Sequence, residues 1–220
     1  MLIFENGWWR IQDDRGFDVF RAEYAQPLPF TISGDDVVVD LGANVGTFSR
    51  LALNAGARVT AIEPVIEVFE ALMGNCSDAL CLCMAASDTD GETISMEYDP
   101  TDSGRASSVL PINGVPMRTM TTTVDRLMDG KRVTVLKMDV EGCEEKALRG
   151  ATDTIRAWRP KMLVSIEHLP DDKERLSAVI DDICPGYVKT EMESRGPGDR
   201  TSGRRRNERF RLHGHRKSRS

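Results

Sequence analysis

Val37-Val38-Val39-Asp40-Leu41-Gly42-Ala43-Asn44-Val45-Gly46-Thr47-Phe48 is an apolar run that stops in a glycine-bearing turn and resumes as a helix. The β-branched residues before Asp40 fit a buried strand. Gly42 and Gly46 allow positive φ and a close approach of a ligand to the backbone. The helix that follows points its unpaired N–H groups back at the turn. About twenty residues on, Val59-Thr60-Ala61-Ile62-Glu63-Pro64 reads as a second strand ending in an acid. A glycine turn followed by an acid at the next strand end is how an open α/β sheet holds an adenosine-type ligand, the acid taking the ribose hydroxyls. The glycine spacing narrows the ligand. A pyrophosphate calls for G-x-G-x-x-G at the helix N-terminus. Here the pattern is Asp40-x-Gly42-x-x-x-Gly46, led by a carboxylate. A carboxylate repels phosphate and suits an ammonium group. S-adenosylmethionine, with an amino-acid end and no phosphate, is therefore the expected cofactor.

The 220 residues allow one α/β domain with a sizeable core and exclude two full ones. No apolar run of about eighteen residues occurs, so no membrane span is expected. The N-terminal residues Met1 to Arg10 lack the pattern of a signal peptide. Cys76, Cys81, Cys83, Cys143 and Cys184 form no paired C-x-x-C clusters and read as reduced thiols of a cytoplasmic protein. The net charge of −6 hides a division. Residues 195–220 carry nine arginines and Lys217 against Asp199 and Glu208, so the remainder stands at −14. Such a body is a poor match for a phosphate backbone. Nucleic acid is expected only through the basic tail, if at all.

Strand and helix signals alternate beyond the turn. Thr47 to Ala55 and Val65 to Cys76 read as helices, the second with Ile66, Phe69, Leu72 and Met73 at helical spacing. Ala79 to Ala86 reads as a third strand. Ser87-Asp88-Thr89-Asp90-Gly91 follows as the turn of a hairpin whose return strand is Glu92 to Tyr98. Residues 99–118, rich in Pro, Gly, Ser and Asp, form a long loop that either covers a site or is a plain insertion. Val133 to Asp139 is a strand, followed by Glu141-Gly142. Lys161 to Glu167 is another, ending beside His168, and Asp171 to Ile183 is an amphipathic helix. In a mainly parallel sheet of this kind, Asp40, Glu63, Asp88, Asp139 and Glu167 gather on the carboxyl rim.

The segments Asp40 to Gly46, Ile62-Glu63-Pro64, Lys137-Met138-Asp139-Val140-Glu141-Gly142-Cys143-Glu144 and Ser165-Ile166-Glu167-His168 resemble the FkbM family of S-adenosylmethionine-dependent methyltransferases. So do Ala86-Ser87-Asp88 and Thr123 to Leu127. The likeness runs from about Val37 to about Tyr187, and K-x-D-x-E-G-x-E is its most specific mark. The resemblance implies a class I, Rossmann-like α/β fold, with a mostly parallel central sheet flanked by helices. It also implies O-methylation of a small-molecule, sugar or glycan hydroxyl. On this reading residues 1–36 are a lead-in packed on the domain, 37–190 the cofactor-binding domain and 191–220 a basic, disordered tail. The final strand pair of the class is not legible after Lys189, so it is expected to be missing or replaced.

Residue by residue, Asp40, Gly42, Gly46, Glu63 and Asn44 are expected at the cofactor, Asn44 as a polar contact or merely a turn former. Asp88 takes the adenine amino group or serves as a turn residue. Asp139 and Glu141 flank the place for the sulfonium methyl, although Glu141 also suits the N-terminus of the next helix. Lys137 reads as a structural ion pair at least as well as a catalytic group. Glu167 and His168 are candidates for accepting the acceptor's proton, His168 also reading as a packing residue. No metal is assigned, since spacing does not specify one. Two alternatives stay open: a non-catalytic methyltransferase-like protein whose tail contacts nucleic acid, and an NAD(P)-dependent oxidoreductase.

Overall fold

The computed structural model describes residues 2–5, 8–11, 28, 30–100, 105–194 and 207–213. A short antiparallel pair, β1 (Leu2–Glu5) and β2 (Trp8–Ile11), precedes the main sheet. That sheet is entered at β3 (Val37–Leu41) and continues through α1 (Thr47–Asn54), β4 (Arg58–Ile62), α2 (Ile66–Asn75) and β5 (Leu80–Leu82). After an excursion described below come α3 (Val124–Met128), β10 (Val135–Met138), α4 (Glu144–Arg149), α5 (Thr152–Trp158), β11 (Lys161–Ser165) and α6 (Asp172–Ile183). The chain closes with β12 (Val188–Ser194) and β13 (Asn207–His213).

The seven-stranded order is β12-β13-β11-β10-β3-β4-β5. Five strands, β11 to β5 in that order, run parallel. Strands of such a sheet are buried on both faces and read as continuous apolar runs, which is why Val37 to Leu41 and Val133 to Met138 were legible. Residue parity assigns the faces. Val39, Leu41, Leu136, Met138, Met162 and Val164 join Leu148, Ile155, Leu176 and Ile180 on the side of α4, α5 and α6. Val38, Val135 and Leu163 join Phe48, Ala52, Phe69 and Leu72 on the side of α1 and α2. Ile66 and Met73, expected on the inner stripe of α2, are half exposed, and Val68 and Ala71 are buried instead.

From β3 the chain builds outward through β4 and β5, then returns to lay β10 and β11 on the other flank of β3. The direction of winding therefore reverses between β3 and β10. Open sheets bind ligands in the crevice outside the carboxyl ends at such a reversal. Gly42 and Asp139 meet there.

Two expectations need correction. Residues 79–98 are not one strand and its hairpin partner. The third strand breaks at Cys83-Met84 into β5 and β6 (Ala85–Ala86), and β6 pairs in parallel with the end of β9 (Val115–Thr122). The return strand β7 (Thr93–Tyr98) pairs antiparallel with β9 and with β8 (Ala106–Ser107), so a second sheet of order β6-β9-β7-β8 forms. The partner of β7 lies some way ahead in the chain, and a local turn signal carries no information about it.

The final strand pair is present. β12 pairs along its length with β13, and β13 is antiparallel to β11, from Met162↔Leu212 to Ser165↔Arg209. Residues 191–194 and 207–213 of the expected disordered tail are thus strand, and the rest of that tail lies outside the described residues. Arg209-Phe210-Arg211-Leu212 alternates with period two but carries few apolar residues, so a composition reading took it for solvated chain. Only residues 28 and 30–36 of the lead-in's final part are described; there Ile32 is buried in the α1/α2-side core, with Leu28 and Phe30 packed against it.

Candidate functional site

The glycine turn is held from below. Asp40 and Lys137 are register partners on β3 and β10 and point to the α1 face, both nearly excluded from solvent. Lys137 Nζ lies 3.1 Å from Asp40 Oδ1 and donates to the carbonyls of Gly42 (2.6 Å) and Leu41 (3.3 Å). Ser49 Oγ donates to Asp40 Oδ2 at 2.7 Å. Burial works against the lysine's charge, but the carboxylates of Asp40 and Asp139 outweigh it and hold the pKa above its ordinary value. Asp40 was expected to face a ligand's ammonium group. Its carboxylate instead braces the turn from inside through Lys137, and Gly42 and Asn44 are the partly exposed residues of that turn.

Gly42 has φ +69°, and a β-carbon there would lie 1.9 Å from the carbonyl oxygen of Asp139. Glycine is what lets β3 and β10 close on each other at this crevice. Gly46, at φ +93°, is the N-cap of α1, and a β-carbon there would strike Cys76 Sγ at 2.6 Å. Asn44 is itself left-handed (φ +52°) and gives its backbone N–H to Glu63 Oε2 at 3.0 Å. Val65 N–H donates to Glu63 Oε1, also at 3.0 Å. Two amides thus pin the carboxylate and leave a further acceptor position on each oxygen.

Burial raises the Glu63 pKa to about 7, against the opposing pull of the Val65 and Asn44 amides. The sign of the consequence is fixed. Above about pH 7 the buried group is ionised at a cost, and as pH falls from about 7 towards 4.5 the folded state takes up a proton that the unfolded chain does not. The unliganded protein is therefore expected to gain roughly 3 kcal/mol of stability from this group over that descent. Glu63→Gln should flatten that part of a denaturation-versus-pH curve. An unchanged slope in the variant would refute the assignment.

Asp88 is not brought to this turn by any described contact. It is exposed, accepts from Ser87 Oγ at 3.1 Å, and borders the position where Gly150 closes α4. It follows Ser87 directly after the short β6–β9 ladder. Cys83, directly after β5, lies against Pro64 instead, its thiol 3.7 Å from that carbonyl, beside Glu63.

Across the crevice, the carboxyl ends of β10 and β11 bring Asp139, Glu141, Glu144 and His168 together. The His168 side chain is 8% exposed, with Nδ1 2.9 Å from Glu144 Oε1 and Nε2 3.6 Å from both Asp139 Oδ1 and Glu141 Oε1. Burial disfavours the imidazolium, yet the carboxylates of Glu141 and Glu144 push its pKa up to about 12. In this arrangement the neighbouring carboxylates favour the protonated ring, which weighs against the general-base expectation for His168 in the unliganded chain. Glu141 sits in the turn after β10, at φ +51°, and burial raises its carboxyl above the ordinary range. Glu167 follows β11 on the same rim and is partly buried.

Glu144 was quoted above as part of a motif without a role. It is fully buried at the start of α4 and accepts from Val140 N–H (2.9 Å), Gly142 N–H (3.0 Å) and His168. An acid in the first turn of a helix directly after a glycine was the available signal. The stretch 99–118 expected as one long loop holds β8 and the start of β9, and Ser107 at the end of β8, with Ser108 after it, carried no assigned role. Ser107 Oγ donates to the Glu141 carbonyl at 2.6 Å, and Val109 and Leu110 pack over Gly142. The loop thus covers the β10 turn.

Residues 40–193 match the family model described as the methyltransferase FkbM domain. The chain belongs to the FkbM methyltransferase family. Among curated proteins it is similar to the hexuronic acid methyltransferase AglP of Haloferax volcanii, 31% identical over 157 residues. That alignment covers 68% of this chain and 62% of AglP. Among solved structures it is similar to an FkbM methyltransferase from Methylobacillus flagellatus KT (TM-score 0.62, 21% identity, 88% of this chain and 48% of the other). It is also similar to an Aeropyrum pernix fibrillarin determined with natively bound S-adenosyl-L-methionine (TM-score 0.50, 12% identity, 89% and 75%). The chain thus spans less than two thirds of the length of AglP and about half that of the Methylobacillus protein. The FkbM assignment sets aside the oxidoreductase alternative, and the structural likenesses show the class I, Rossmann-like fold. No helix among the described residues is long and apolar enough to cross a membrane.

Proposed function

We propose that this FkbM chain is an S-adenosylmethionine-dependent O-methyltransferase whose acceptor is a hydroxyl of a sugar acid, free or within a glycan. The observation that carries it is the Glu63 carboxylate, fixed by the Asn44 and Val65 amides beside the Gly42–Gly46 turn. The acceptor class follows from the likeness to AglP.

The donor set fits the cofactor. The Gly42 to Gly46 backbone, braced by Lys137 and Asp40, is open to the amino-acid end, Glu63 takes the ribose hydroxyls, and Cys83 borders the adenine side. When bound, S-adenosylmethionine supplies a sulfonium methyl to a nucleophilic oxygen, the electron pair of the broken S–C bond remaining on sulfur. The chain's task is alignment of that oxygen with the methyl, since positioning alone removes much of the barrier. Asp139, Glu141 and Glu167 form the rim that meets the acceptor, and its proton leaves late, to a rim carboxylate or to water. The loop carrying Ser107 to Leu110 narrows the access of water at the β10 turn. The unbridged cysteines fit a cytoplasmic setting.

Isothermal titration of the full chain with S-adenosylmethionine tests this reading. Binding is expected in the wild type. Glu63→Ala should weaken it about a hundredfold, or ~3 kcal/mol, because two hydrogen bonds to a charged group are lost. Binding should also strengthen as pH rises through about 7, where Glu63 ionises. A folded Glu63→Ala protein with wild-type affinity would sink the assignment.

A further inference from the structure

We infer that Asp139, Glu141 and His168 form a site for one divalent cation of the Mn²⁺ type on the rim of the transfer cleft. Asp139 Oδ1, Glu141 Oε1 and His168 Nε2 all lie within 4.8 Å of one another. Nε2 stands 3.6 Å from each of the two oxygens. A buried imidazole donating to a carboxylate closes to about 2.7–2.9 Å. At 3.6 Å from both acceptors, Nε2 is shared between the two carboxylates and closes fully on neither. Donors held at ~2.1 Å from a common ion in a facial octahedral arrangement lie roughly 3.0 Å apart, which these side chains reach by closing about half an ångström on the ion.

The support behind the donors points the same way. His168 is nine-tenths buried, and its other ring nitrogen is engaged by Glu144, whose carboxylate is itself fully buried and fixed by two backbone amides. A carboxylate on Nδ1 that aims Nε2 into a gap is the arrangement that orients metal-ligating histidines. The Glu141 backbone is anchored from the other side by Ser107. Asp139 and Glu141 keep 19% and 25% of their side chains exposed, so the gap is open to an ion and to further ligands.

Two carboxylate oxygens and one imidazole nitrogen suit Mn²⁺ better than purely oxygen-seeking Ca²⁺ or thiolate-seeking ions. Three protein donors leave coordination positions vacant. The ion displaces the Nε2 proton to water, Nε2 coordinates through the lone pair so freed, and the ion takes over the positive charge among the carboxylates. The use of the site rests on the methyl-transfer reading above. An anionic sugar acid cannot approach a rim of carboxylates without a counter-charge. A cation there binds the acceptor's carboxylate and hydroxyl together and lowers the pKa of the hydroxyl.

The test is a Mn²⁺ titration of the chelator-stripped full chain, read by electron paramagnetic resonance of free Mn²⁺, with no cofactor or acceptor present. One equivalent should bind saturably. Glu141→Gln, Asp139→Asn and His168→Ala should each weaken it at least tenfold. Glu141→Gln is the decisive variant, since it is isosteric, lies in a partly exposed turn and leaves the Glu144–His168 pair intact. S-adenosylmethionine affinity of the wild-type chain is measured separately. No saturable binding, or binding unchanged in both Glu141→Gln and Asp139→Asn, overturns the proposal. Mn²⁺ binding without cofactor binding supports the site and rejects the functional reading, and cofactor binding without Mn²⁺ binding does the reverse.

Discussion

Lys137→Met should lower the unfolding free energy by about 3–5 kcal/mol, because it leaves Asp40 as an unpaired charge in the sheet. Lys137 and Asp40 face each other across β10 and β3 with side-chain exposures of 4% and 0%. Burial opposes both charges, and neither has water to fall back on. Only the Ser49 hydroxyl would remain on the carboxylate. The double variant Lys137→Met/Asp40→Asn removes the charge with its partner and should recover most of the loss, since apolar or neutral replacement of a whole buried pair is often nearly neutral. Cofactor affinity should not recover with it, because the ammonium that holds the Gly42 and Leu41 carbonyls is gone. Urea denaturation of the four members of the cycle, with cofactor titration of each, separates the two effects. A single-variant cost below about 1 kcal/mol would show that the pair is not structural.

The second large effect is expected at Gly42. Gly42→Ala places a β-carbon 1.9 Å from the Asp139 carbonyl oxygen and asks an L-residue to hold φ +69°. The left-handed conformation costs about 1–2 kcal/mol. Forcing β3 and β10 apart adds roughly 1–3 kcal/mol. The obstructing atom is backbone, not a flexible side chain, so relaxation must move the turn itself. That turn carries Asn44, whose amide pins Glu63. Stability and cofactor binding should therefore fall together, binding by at least tenfold. Gly91→Ala is the control. It also has positive φ, but a β-carbon there meets nothing within 4 Å, so only the conformational cost remains. Equal behaviour of the two variants would remove the close approach from the explanation.

Much of this fold was legible because its signals are local. Val37 to Leu41 and Val133 to Met138 are apolar enough to demand burial on both faces, and that alone implies a parallel sheet with helices on either side. Glycines that must take positive φ, and acids placed directly after strands, mark the ligand side. The C-terminal strands escaped because Asn207 to His213 is held by its ladder to β11, and a sequence window sees only its charge. The hairpin assigned to residues 79–98 failed for a related reason. β7 chose β9 over β5, and nothing between them in sequence encodes that choice.

The same division runs through the candidate site. The sequence by itself determined the parallel α/β sheet, the glycine turn, Glu63 at the next strand end and the acids after β10, because strand periodicity, backbone permissiveness and charge placement act over a few neighbouring residues. Tertiary structure alone decided what each charged group faces. It turned Asp40 inward onto Lys137, left Asp88 exposed beside Ser87 and set His168 among three carboxylates. Those outcomes depend on which residues, far apart in the chain, share a face and exclude water, and ionic interactions take their strength from that exclusion.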